Sequence, residues 1–152
     1  MPMLNQEIYE GALRLIGESL EEGENEDYKD RASYLIAAFC CETEELEASV
    51  RRRLGLGSRP SFNPVWVSLD DEFPSLDRLA VAACLYVAAM LILDDDPERS
   101  DKLYDRYCDS LASLETAYQG ALEPEPDLEP DDEPEIFEMA TLESIRDNYF
   151  FD

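Results

Sequence analysis

LDRLAVAACLYVAAMLILDDDPERSDKLYDRYCDSLASLETAY, residues Leu76 to Tyr118, decides the fold. From Leu79 to Leu93 there is no charge in 15 residues. Three aspartates and Pro97 follow, and then an amphipathic pattern with Leu103, Tyr104, Tyr107, Leu111, Leu114 and Tyr118 on one helical face. This reads as a helical hairpin: a buried helix starting near Pro74–Ser75, a tight acidic turn, and a half-buried helix. Asp96 is placed to cap the second helix, with Pro97 at its first position and Glu98 in its first turn. Folding at Asp95–Asp96 sets Cys84 opposite Tyr107–Cys108. The uncharged run falls short of the ~20 residues that span a bilayer, and five of its residues are alanine, so it is expected in a protein core with no membrane partner.

Working outward, Leu4, Ile8, Ala12, Leu15, Ile16 and Ser19 share a helical face, which predicts a first helix from Asn5 to Leu20. Asn5 is its expected cap and Gly23 its stop. Gly11 and Gly17 fall inside the pattern and suggest close packing against a neighbour. A second helix is predicted from Asp27 to Gly55, with Tyr28, Ala32, Leu35, Ile36, Phe39, Leu46, Val50 and Leu54 as its apolar face. Acids at its start and Arg51, Arg52 and Arg53 at its end complement the helix macrodipole. Those arginines are the single basic cluster. They read as dipole complement and ion pairing to an acidic neighbour, with phosphate binding as the other reading.

Residues 55–74, GLGSRPSFNPVWVSLDDEFP, are broken by prolines and glycines. Val65-Trp66-Val67 fits a short strand or an extended arm. A loop this long is usually functional. Phe62, Val65, Trp66 and Val67 either cover the hairpin or pack on another subunit.

The chain has 152 residues, 12 Lys+Arg, 37 Asp+Glu and no histidine, for a net charge of −25. Residues 1–122 form the predicted domain, with net charge −14; residues 123–152 hold twelve acids against Arg146, net −11. Residues 123–135 are acidic and proline-rich, a composition that predicts disorder. Residues 136–152 regain apolar side chains: Ile136, Phe137, Ile145, Tyr149, Phe150 and Phe151 form a candidate docking segment, in cis or in trans. The acidic surface disfavours nucleic-acid backbones and anionic membranes.

The chemistry of catalysis is not signalled. There is no histidine, no phosphate-binding glycine loop and no nucleophile motif. Four cysteines lack the CxxC spacing of zinc sites and read as free thiols. The aspartates before Pro97 lack the alternating oxygen ligands of a calcium loop. No enzyme activity, metal or cofactor is expected.

EGALRLIGESLEEGENEDYKDRASYLIAAF, and then FNPVWVSLDDEFPSLDRLAVAACLYVAAMLILDDDPERSDKLYDRYCDSLASL, together resemble phage head–tail connector (adaptor, or head-completion) proteins. The likeness covers Glu10 to Leu114 and lies in the order of segment types. It implies a small helical protein, in keeping with the all-α bundle of about four main helices around the hairpin, with an extended arm, that the residues predict; the long acidic tail departs from the family pattern. It also implies a virion structural protein that forms a ring under the portal and extends the DNA channel. The implied partners are the portal, tail-completion proteins and further copies of the chain. DNA passes without specific binding, and the implied location is host cytoplasm during assembly and then the virion. The arginine cluster and the Phe62–Val67 arm become candidate subunit contacts. The alternative is an acidic DNA-mimic or regulatory protein that binds a basic partner through its tail.

Overall fold

A computed structural model describes residues 2–118. The candidate docking residues Ile136, Phe137, Ile145, Tyr149, Phe150 and Phe151 lie outside them. The described residues form an all-α bundle: α1 (Asn5–Leu15), α2 (Glu26–Glu42), α3 (Glu44–Leu54), α4 (Ala80–Leu91) and α5 (Pro97–Ala117), with a 3-10 turn at Asp77–Leu79 before α4. The hairpin of α4 and α5 is as expected. α4 is the central element and packs on α1, α2 and α5. Ala82, Ala83, Val87, Ala88 and Ala89 are fully buried, and alanine at these positions lets three helices approach one.

Asp96 caps α5 by accepting the Arg99 N–H at 3.2 Å, with Pro97 at the first helical position. Asp95 is spoken for as well: it accepts the Tyr28 hydroxyl at 3.2 Å and ties the turn to α2. α4 begins at Ala80, later than Pro74–Ser75, because Leu76 is extended at ψ 153 and donates its N–H to Glu47 rather than to a helical turn.

Three other expectations are corrected. The first helix ends at Leu15, not Leu20. Gly17 adopts φ +73, Gly17 N donates to Arg14 O and Glu18 N to Leu13 O, a left-handed helix stop that leaves Gly23 no such role. Asn5 is not the cap. Leu4 occupies that position, and Glu7 accepts its N–H at 3.2 Å. The Asn5 and Gln6 N–H groups are instead taken by the carbonyls of Asp71 and Leu69, both at 2.9 Å, while the Asn5 side chain donates to Ser68 O. The second helix is two helices. Thr43 breaks it at φ −103, ψ 19, and its hydroxyl donates back to Phe39 O at 2.9 Å. A β-branched hydroxyl residue bonded to the i−4 carbonyl bends a helix, and here it ends one.

Cys84 does not face Cys108. All four cysteines are free thiols. Cys84 lies against α1, with its Sγ 3.6 Å from Ile8 O, whereas Cys108 is exposed. A Cβ on Gly11 would come within 2.6 Å of that sulfur, so Gly11 sets the α1–α4 spacing. Gly11→Ala should therefore destabilise by about 1–3 kcal/mol, although alanine is the better helix former. Adding Cys84→Ala should recover most of the loss in urea unfolding. Equal losses in the single and double variants would show that the contact is not the cause.

Two helix ends are closed by other helices. Arg31 of α2 donates to Met90 O and Leu91 O at 3.1 and 3.3 Å, covering the end of α4, which has no base in its own last turn. Arg99 of α5 donates to Leu15 O and Ile16 O at 3.0 and 3.5 Å, at the end of α1. Both supply cations where carbonyls are left over and the dipole is negative.

Candidate functional site

The loop of residues 55–76 lies on the bundle and contains no strand. Val67 N donates to Ser33 O at 3.2 Å, and Val67, Leu69 and Phe73 are buried. Phe73 N donates to Met3 O at 2.8 Å, next to an isolated antiparallel bridge between Leu4 and Glu72. Half of the segment therefore covers its own core. Two of the expected contact residues are not covered: Val65 is 64% exposed and Trp66 44%. They stand on a fixed turn, since Val65 N donates to Asn63 Oδ1 at 2.9 Å and Val67 is anchored beneath.

The arginines divide by role. Arg51 is engaged within the subunit. Its Nε is 2.6 Å from Oε2 of Glu47, which is 1% exposed, and its Nη1 donates to Gly57 O at 3.0 Å. Oε1 of the same glutamate accepts the Leu76 N–H at 3.3 Å. The Arg51–Glu47 pair thus joins α3 to both ends of the long loop. Arg52 and Arg53 are exposed. Arg59 is fixed by Cys40 O at 2.9 Å and by Ser75 Oγ at 3.4 Å, and its guanidinium sits 5.0 Å from the centre of the half-buried Phe62 ring. Arg51, Arg52, Arg59 and Phe62 line one groove of about 550 Å³ with Glu44 and Glu47. Between Ala48 and Leu69 the chain carries four arginines and no acid. The structure gathers Arg51, Arg52 and Phe62 at this groove, while Trp66 lies beyond it: it shares one groove with Phe62 and Val67 and another with Tyr34. Tyr34, which is 54% exposed, was not singled out by sequence reasoning. Its signal was an aromatic residue off the apolar face of α2.

A polar feature at the edge of the bundle, centred on the exposed Glu42, was also not foreseen. Glu42 accepts from both Tyr86 and Tyr107, at 3.2 and 3.3 Å, one hydroxyl on each oxygen. These rings pack at 5.1 Å from each other, and each lies 6.1 Å from Phe39. Burial, and then the Glu42 charge, pushes the Tyr86 hydroxyl up from 10.0 to about 12 and raises Tyr107 further still. Both hold their proton more tightly folded than unfolded, so their contribution to stability is complete below pH 10; that of Tyr86 is lost as pH rises through about 12, and that of Tyr107 only at higher pH still. Alkaline titration should show Tyr86 and Tyr107 ionising only as far-UV circular dichroism is lost. Tyrosinate absorbance that reaches its full value on an intact helical spectrum would contradict this.

Among the described residues, no group of three or more acidic or cysteine side chains is arranged to hold a metal ion, and no helix is long and apolar enough to cross a membrane. No family model, no curated protein and no solved structure matches this chain.

Proposed function

We propose that the chain is a virion structural protein, a head–tail connector of a tailed phage or prophage that closes into a ring beneath the portal and extends the DNA channel. One observation carries this reading: a chain of net −25 keeps residues 48–69 free of acid, places four arginines there, and leaves Val65 and Trp66 of the same stretch exposed. A subunit that works by shape and contact needs one face where another protein can approach. The acid elsewhere keeps passing DNA from adhering. No catalytic role is assigned to any residue.

The test is charge reversal at Arg52 and Arg53 in the full chain, imaged by negative stain with the portal it is encoded with. Arg51 is left intact because it holds a buried glutamate. The wild type is expected to give rings of portal diameter. The reversed chain should keep its circular dichroism and form none. Rings of wild-type abundance from the reversed chain would refute the reading.

A second reading is favoured by a separate feature. Glu10, Glu21, Glu22, Glu24 and Glu26 surround a small concavity of about 230 Å³, with Lys29 as its one base. Such a surface suits a basic partner. The full chain would then bind that partner in a salt-dependent way without ever forming rings.

A further inference from the structure

A single buried side-chain polar atom has no hydrogen-bond partner among the described residues. It is Oδ1 of Asn5, a residue with no exposed surface. The other end of the amide fixes how the side chain stands, because Nδ2 donates to Ser68 O at 2.9 Å. Asn5 belongs to the wall of a groove of about 430 Å³ that it shares with Phe62, Trp66, Asp71 and Glu72, and this wall holds two acids and no base.

We infer that this groove seats one lysine or arginine side chain of a basic partner polypeptide, whose backbone lies extended along residues 71–73.

Three features ask for the same chemical group. A buried acceptor with nothing donating to it is costly to leave, and a donor that reaches Asn5 Oδ1 has no existing bond to break. Asp71 and Glu72 are exposed carboxylates and call for a cation. Trp66 supplies an aromatic surface that is 44% exposed, whereas Phe62 already has the Arg59 guanidinium over its ring. The groove on the other side of Trp66 is acidic too, with Glu26, Asp30 and Asp70 against Lys29. A positive group with N–H donors on an apolar stem meets all of these, and lysine and arginine are the side chains built that way.

The backbone of the wall selects a polypeptide over a free amine. Glu72 makes an isolated antiparallel bridge with Leu4, in which Asn5 N donates to Asp71 O and Phe73 N to Met3 O. In such a pair the bonds belong to the flanking residues, and the N–H and C=O of Glu72 itself point away from Leu4. Neither has a partner among the described residues. They form a short open edge on which an extended chain can pair. A second copy of this chain is a poor occupant, since it brings a net charge of −25 to an acidic wall. The site goes beyond the connector reading and does not rest on it.

Trp66 is the single tryptophan of the chain, so its emission reports a peptide that has none. The probes are blocked pentapeptides of alanine with lysine or arginine at the centre, titrated into the full chain at physiological salt. Each should shift Trp66 emission saturably. Citrulline at the centre keeps the shape and N–H donors of arginine without its charge. Trimethyllysine keeps the charge without an N–H, and it tests the Asn5 contact without altering the helix start that Asn5 holds. Both should bind about tenfold or more weakly than their parents. Asp71→Asn with Glu72→Gln, on exposed positions, should weaken the lysine and arginine peptides to a similar extent with circular dichroism unchanged. Glu21→Gln with Glu22→Gln, in the separate acidic concavity, should leave binding as it is. The site is overturned if no saturable shift appears up to millimolar peptide, or if the two double variants lose binding equally, which would be the general attraction of an acidic chain. Trimethyllysine binding as well as lysine would also overturn it, because Asn5 Oδ1 would then be served by water alone. A blocked single arginine that binds as tightly as the pentapeptide overturns the extended partner. Failure in these arms leaves the connector reading standing, and failure of ring formation leaves this site standing.

Discussion

Arg51→Ala should cost about 3–5 kcal/mol of folding free energy, far more than a surface arginine. The reason is Glu47, whose carboxylate is 1% exposed and has Arg51 as its charged partner at 2.6 Å. Removing the guanidinium leaves a buried charge facing Leu76 N alone. The same deletion frees Gly57 O, so the loop from α3 to α4 loses a hold at its α3 end. Urea unfolding followed by circular dichroism measures the loss. Replacing both partners with apolar residues of similar volume should recover a large part of it, because the penalty belongs to the stranded charge. A loss under about 1 kcal/mol for Arg51→Ala would mean that the pair is open to water and behaves like a surface bridge. Arg53→Ala, on the exposed side of the same helix, serves as the control and should change stability by less than about 0.5 kcal/mol.

Phe39→Ala should be of similar size, about 3–5 kcal/mol. Phe39 has no exposed surface, and its ring lies 6.3 Å from Phe73, 6.1 Å from Tyr86 and 6.1 Å from Tyr107. One side chain of α2 thus joins the long loop, α4 and α5. Truncation removes the ring from water-free packing and leaves a cavity among rigid aromatics that cannot collapse to fill it. It also loosens the two tyrosines that hold Glu42, so near-UV circular dichroism should fall even where the helical signal survives. Phe39→Leu keeps most of the volume and should cost about 1–2 kcal/mol. Near-equal losses for the two replacements would place the loss in ring–ring geometry rather than in filled volume.

The hairpin was legible in the sequence because its signals are local and agree. A charge-free run, a capping aspartate and a proline at the first helical position all mark the same turn. The break at Thr43 was not legible. Periodicity runs through it, and only the return of its hydroxyl to Phe39 O ends the helix. Glu47 was hidden for a related reason: a glutamate on a helix reads as solvated, yet its i,i+4 pair with Arg51 and the tertiary contact with Leu76 N let it replace an apolar residue inside. The partner of Cys84 could not be chosen either. A helix that is apolar all round gives no sign of which neighbour each face takes, and the α1 side won because Gly11 leaves room there. At the candidate contact surface, the arginines and Trp66 were visible as residue types. Their division into Arg51 inside and Arg52, Arg53 and Trp66 outside depends on long-range packing.

Arg31 and Arg99 bear on how this bundle comes apart. Each is a donor rooted in one helix and spent on the terminal carbonyls of another. α4 keeps its last turn closed while α2 is docked, and α1 while α5 is docked. Fraying at one end is thereby converted into undocking of a distant element, which has the full free energy of the core against it. No pair of these helices forms a self-sufficient folding unit, and the protein should cross its unfolding transition in one cooperative step, with every helix lost together.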